Sequence, residues 1–160
     1  MTLHIAITGA GIGGLAAAAL LARDGHHVTL FERFATPKPL RSGLVVQPVG
    51  LAVLDKLSAG VEARRLGAPL TRMLGHSGPR IALDVAYRPH QPGLAMHRAA
   101  LFHCLWQAAT RAGITPTTGH TVTGTRDTPA GIRLITDQGP HGPYDLIIDA
   151  TGTGTPHSPH

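Results

Sequence analysis

The segment Gly9-Ala10-Gly11-Ile12-Gly13-Gly14 sets three of its four glycines in the pattern G-x-G-x-x-G, and Glu32 follows the last of them by 18 residues. In this pattern the first glycine permits a tight turn. The second lets the backbone approach a pyrophosphate, and the third allows a helix to lie close against a sheet. A helix starting at such a turn directs free N–H groups and a partial positive charge toward phosphates. A carboxylate at the position of Glu32 can accept hydrogen bonds from both hydroxyls of a ribose and would repel a 2'-phosphate. The expected chemistry is therefore binding of an adenine dinucleotide by Gly9, Gly11, Ile12, Gly13, Gly14 and Glu32. NAD and FAD share an adenosine diphosphate half, so this segment alone does not choose between them.

The flanking sequence supplies the elements such a site requires. Residues 3–8 (LHIAIT) read as a short apolar strand stopped by Gly9. Residues 12–23 are rich in Ala and Leu and read as a helix closed by Asp24-Gly25, and residues 28–32 (VTLFE) read as a second buried strand. Two apolar strands joined by one helix make a βαβ unit, so the sheet is expected to be parallel at its centre. Residues 34–46 read as an irregular loop. Residues 48–57 read as a short helix with Pro48 at its start and Gly60 past its end. Residues 66–95, broken by Pro and Gly, suggest an inserted β-arm with strands at 71–74 and 80–86. Residues 96–112 (MHRAALFHCLWQAATRA) form the strongest helical pattern after the first, with Gly113 as C-cap, and 114–117 can return to the sheet. Residues 121–126 and 132–136 suggest a hairpin turning at Pro129-Ala130-Gly131, and 144–148 (YDLII) a last buried strand. The expected domain runs over 1–152, and 153–160 reads as a disordered tail.

Composition narrows the function classes. The 160 residues are 42% hydrophobic and 14% charged, as in a globular chain of one domain. The longest apolar run, residues 15–22, ends at Arg23-Asp24 and is too short for a membrane span, and no signal peptide is read at the N-terminus. The formal charge is +5, but Arg64-Arg65 is the only adjacent basic pair, which makes no nucleic-acid stripe. One cysteine, Cys104, excludes an internal disulfide and a Cys-based zinc site and agrees with a reducing cytoplasm. In mid-helix beside Leu101, Leu105 and Trp106 it reads as a small core residue. The eleven histidines show no metal-ligand spacing and read as surface residues. Gly75-His76-Ser77-Gly78 hints at a serine nucleophile, but the pattern G-x-S-x-G fails at Pro79, and the segment reads as a turn.

Four segments in order carry a resemblance that spans the chain. They are the glycine turn with Phe31-Glu32-Arg33, the stretch from Arg41 to Pro48 (RSGLVVQP) running into a helix, the helix opening Met96-His97-Arg98-Ala99-Ala100-Leu101, and Asp145 to Gly152 (DLIIDATG). In these the sequence resembles the class A flavoprotein monooxygenases, the para-hydroxybenzoate hydroxylase-like group of FAD-dependent aromatic hydroxylases. The resemblance implies an α/β, Rossmann-like FAD-binding domain with a central parallel sheet, an inserted β-arm at 66–95 and a β-hairpin or meander. It implies that Arg33 lies near the adenosine, that Arg41 approaches the phosphates, and that Arg98 contacts the FAD chain from the start of its helix. It also implies NAD(P)H as reductant and a small, aromatic or otherwise electron-rich substrate. No catalytic acid, base or nucleophile is assigned, because the flavin carries that chemistry.

Two departures from the family pattern bear on function. Where the family usually has Ala-Asp-Gly, this chain has Ala150-Thr151-Gly152, as in the related glutathione-reductase-like flavoproteins. Thr151 and Gly152 are kept as cofactor contacts, although Thr151 carries no charge. Asp149, one strand position earlier, is expected to point to the opposite face. The sequence also stops before the substrate-covering sheet and second flavin motif of the family, so by this resemblance the substrate domain is expected to be largely absent. A truncated product or work with a complementary protein chain is expected. Two further readings stay open: a non-catalytic or partner-dependent flavin-binding module, and an NAD-binding Rossmann dehydrogenase domain.

Overall fold

The computed structural model describes residues 1–36 and 42–152; Arg41 and the expected tail at 153–160 lie outside them. In chain order the elements are β1 (His4–Thr8), α1 (Ile12–Arg23), β2 (His27–Glu32), β3 (Gly43–Val46), α2 (Pro48–Lys56), α3 (Gly60–Leu66), β4 (Ala68–Leu70), β5 (Arg72–Ser77), β6 (Arg80–Ala86), β7 (Gly93–His97), α4 (Arg98–Arg111), β8 (Thr117–Thr118), β9 (Val122–Thr128), β10 (Gly131–Thr136), β11 (Gly139–Tyr144) and β12 (Leu146–Asp149). The described residues fall into two compact units, one from 1–36 with 105–152 and one from 42–104.

The first unit holds the sheet β12-β1-β2-β8, in which every neighbouring pair is parallel. Its central strands are buried from both sides, as their continuous apolar character requires: Ile5, Ala6, Ile7, Leu30 and Phe31 are 0–1% exposed. Helix α1 buries Leu15, Ala18 and Ala19, a spacing that puts them on one face. It ends at Asp24, followed by Gly25 at φ +89°. A three-stranded antiparallel meander, β9-β10-β11, lies against this sheet, with Leu134 packed on Ala6 and Phe31.

The structure departs from the sequence reading at several edges. The return to the sheet is the two-residue β8 and begins only at Thr117. Strand β11 goes beyond the sequence reading, because Gly139 to Tyr144 (GPHGPY) carries two prolines and two glycines, residues that weaken a strand pattern. The expected strand 144–148 divides at Asp145, whose N–H donates to the His4 carbonyl while its carboxylate accepts the His4 N–H, both at 2.8 Å. This exchange ends β11 and starts β12, which carries Leu146 at 41% exposure and so is not fully buried.

In the second unit β3, β7 and β4 form an antiparallel sheet and β5 and β6 a hairpin. The loop expected over 34–46 contains β3. Met96 and His97 belong to β7, because Leu44 and Gly43 pair with them, and α4 starts two residues later than its pattern suggests. Gly60 opens α3 and is not simply the residue beyond α2; the chain reverses at Ser58, φ +57°. Gly75, His76 and Ser77 lie in β5 and the turn is Gly78-Pro79, so no strand-turn-helix elbow presents Ser77.

Candidate functional site

The glycine turn joins β1 to α1 at the C-terminal end of the parallel sheet. Gly9 has φ +95°, its N–H donates to the Phe31 carbonyl at 2.7 Å, and a Cβ there would meet the Ala150 carbonyl oxygen at 2.7 Å. A Cβ on Gly14 would run into the Gly9 carbonyl. The fold itself therefore demands glycine at these two positions. Gly11 is different: its φ is −79°, and a Cβ there would meet no protein atom within 4 Å. Gly13 also faces open space. Among the described residues nothing requires glycine at 11, whereas a ligand seated against its backbone would. Gly11 is the N-cap of α1, with no side-chain cap and no acidic residue in the first turn. The N–H groups there keep the positive end of the helix for an anion.

Glu32 is 8% exposed at the end of β2. Its Oε2 accepts the Ala10 N–H at 2.8 Å and its Oε1 accepts the Phe34 N–H at 3.0 Å. The carboxylate thus ties the glycine turn to the segment after β2. A carboxylate has about four lone-pair sites, so acceptor capacity for ribose hydroxyls remains. Arg33 lies with its guanidinium 4.6 Å from the centre of the Phe34 ring, and Phe34 is 55% exposed. The two offer a flat, cationic and aromatic surface beside Glu32.

At the end of β12, Asp149 Oδ1 accepts from the Thr151 N–H at 2.9 Å, the Thr151 hydroxyl at 2.7 Å and the Thr8 hydroxyl at 3.3 Å. The Thr151 proton is thus given to Asp149, and what Thr151 offers outward is an acceptor oxygen. Simple alternation turns Asp149 away from this edge, whereas the structure folds its side chain over Thr151. The signal in the sequence is Asp-x-Thr at a strand end, a spacing at which an Asp side chain accepts from the backbone two residues on. Gly152 has φ +85° and an open Cβ direction.

Gly9, Gly11, Ile12, Gly13, Gly14, Glu32, Arg33, Thr151 and Gly152 all belong to the first unit, and the first five and Glu32 converge through the Ala10 and Phe31 contacts. Arg98 is half-buried at the start of α4 in the second unit, and its N–H donates to the Ser42 carbonyl at 2.9 Å. Cys104 is 1% exposed, a core residue as its helix position suggests. Three described histidines are not the surface residues expected: His26, whose Nδ1 accepts the Leu3 N–H at 3.2 Å, is half-buried, and so are His120 and His141, with ring centres 6.0 and 4.9 Å from that of Phe31. Among the described residues there is no group of side chains that could hold a metal ion, and no helix is long and apolar enough to cross a membrane.

Comparison with known proteins adds the following. A family described as FAD binding domain matches residues 2–145. A 2-heptyl-3-hydroxy-4(1H)-quinolone synthase from Mycobacteroides abscessus is 34% identical over 123 residues, covering 72% of this chain and 32% of that protein. A 3-hydroxybenzoate 6-hydroxylase from Klebsiella oxytoca is 29% identical over 155 residues, covering 91% of this chain and 39% of that protein. Among solved structures, the C294A mutant of 2-methyl-3-hydroxypyridine-5-carboxylic acid oxygenase superposes with a TM-score of 0.81 at 24% identity, over 97% of this chain and 41% of that one. The chain spans less than half the length of each of these proteins.

Proposed function

The chain belongs to the FAD-binding domain family, and from that membership we propose that it holds FAD at the Gly9–Gly14 turn as the cofactor part of an oxygen-inserting enzyme of small aromatic rings. The observation that carries the reading is the open space over Gly11 at the uncapped start of α1. A pyrophosphate seated there would receive N–H donors from the first turn of the helix, and Glu32 would accept from the adenosine ribose. Arg33 and Phe34 would face the adenine. Gly152 leaves the far edge free of side-chain bulk, and Arg41 and Arg98 are the further cations proposed for the cofactor. When bound, the flavin would take electrons from NAD(P)H and transfer one oxygen atom of O2 to the substrate.

The chain's own residues do preparatory work in this scheme. Ala10, fixed by Glu32, sets the turn. The bonds of Asp149 hold Thr151 at the edge where Ala150 touches Gly9. No proton transfer is assigned to these groups. The names of the relatives include a quinolone and a hydroxybenzoate, which supports an electron-rich aromatic substrate. Exclusion of water around the reacting ring needs more surface than this α/β unit offers, and a complementary polypeptide is proposed to supply it. The cytoplasm is the proposed compartment, and neither nucleic acid nor a membrane is a proposed partner.

The test is the visible absorbance of the purified chain after incubation with FAD and removal of free flavin. Flavin bands retained in proportion to protein support the reading. Their absence, together with retention of NADH under the same treatment, would replace it with the dehydrogenase-domain alternative.

A further inference from the structure

Strands β9 and β10 place Arg126 directly opposite Arg133. Residues paired this way have Cβ atoms about 5 Å apart and project to the same face, and like charges so placed repel. Alternation puts Thr128 on that face too, and puts Leu134, which is fully buried against Ala6 and Phe31, on the other. The neighbouring acid, Asp127, is likewise turned away from the two arginines by alternation. Among the described residues neither guanidinium has a carboxylate partner, whereas Arg64, Arg65 and Arg72 each hold one at 2.6–2.7 Å. The two arginines also line one concavity of about 390 Å³, walled by Thr128, Pro129 and Ala130 at the hairpin tip and by Pro143 of β11.

We propose that Arg126 and Arg133 form a binding site for a phosphate monoester dianion on the outer face of the meander. A dianion between two guanidinium forks can accept paired N–H donors from each and cancel their mutual repulsion. The proline walls limit how far the hairpin tip can relax away from it. The Thr128 hydroxyl donates to the Gly131 carbonyl at 2.6 Å, so toward an anion it contributes only shape. The site shares no residue with the glycine turn and does not depend on the flavin reading.

The experiment is calorimetric titration of the full 160-residue chain with inorganic phosphate, against sodium chloride at equal ionic strength. The variants are Arg126→Gln, Arg133→Gln and, as controls, Arg80→Gln in the hairpin of the second unit and Gly11→Val at the glycine turn. Saturable binding at one site is expected, weakened at least ten-fold by either of the first two substitutions and unchanged by the controls. Without phosphate at low salt, Arg126→Gln and Arg133→Gln should melt at the same temperature as the parent or higher, because each removes a repulsion. Adenosine 2'-monophosphate in a second arm identifies the source: ten-fold tighter binding than phosphate indicates a nucleotide, and equal binding indicates free phosphate. Binding that does not saturate overturns the proposal. So does binding that survives both arginine substitutions but is lost in Gly11→Val, which would place the anion at the glycine turn.

Discussion

The Glu32 carboxylate accepts the Ala10 N–H at 2.8 Å, a bond from the end of one strand into the middle of the glycine turn. Its other oxygen accepts the Phe34 N–H at 3.0 Å. The residue that a sequence reading assigns to the ribose is thus also what holds the turn in shape before any ribose arrives. Glu32→Ala leaves two backbone donors without a charged acceptor, at a cost of about 1.5–3 kcal/mol for each bond. The unliganded protein should therefore melt several degrees lower, and Glu32→Gln, which keeps one carbonyl acceptor, should fall between the two. Thermal unfolding without ligand checks this, and a Glu32→Ala protein as stable as the parent would show that the bonds contribute little.

Gly14→Ala inverts an ordinary expectation. Replacing glycine by alanine inside a helix usually stabilises by about 1 kcal/mol. Here the new Cβ would strike the backbone carbonyl of Gly9, which cannot move without displacing β1 or α1. The substitution should instead cost about 1–3 kcal/mol or prevent folding. Urea unfolding reads the difference directly, and a Gly14→Ala protein that gains stability would mean that the turn is looser than described.

The parts of this fold that a sequence reading recovers are those fixed by local pattern. The β1-α1-β2 unit follows from two apolar runs, an Ala/Leu helix and a glycine turn, and each is where the pattern puts it. What it misses depends on partners distant in sequence. Met96 and His97 continue a helical pattern but are drawn into β7 by Leu44 and Gly43. Gly139 to Tyr144 has poor strand composition and becomes a strand because β10 offers it an edge. The roles of Gly9 and Gly11 look alike in sequence and separate only when Ala150 is seen against the first and open space over the second. Asp149 is legible only as a strand residue until its three donors are in place.

Burial raises the pKa of the Tyr144 phenol, an effect the hydrogen bond with Thr29 partly offsets. A group whose folded pKa lies above its unfolded value stabilises the fold fully below the unfolded pKa, about pH 10 for tyrosine, and loses that contribution as pH rises through the folded value. The parent should therefore lose stability more steeply than Tyr144→Phe above about pH 10. Urea midpoints at about pH 9 and pH 11 for both proteins test it. Parallel losses would assign the alkaline sensitivity to other groups.

The central claim is that FAD phosphates occupy the open space over Gly11, and titration of FAD by fluorescence quenching against the parent and Gly11→Val tests it most directly. The backbone at Gly11 suits any L-residue and its Cβ direction is clear, so the variant loses only a preferred N-cap. It should stay within about 1 kcal/mol of the parent, a melting shift of about 2–4 °C. The parent should quench FAD saturably, and Gly11→Val should bind at least ten-fold more weakly, a difference of about 1.4 kcal/mol. A parent that does not bind FAD, or a folded Gly11→Val protein that binds it as tightly as the parent, would contradict the account.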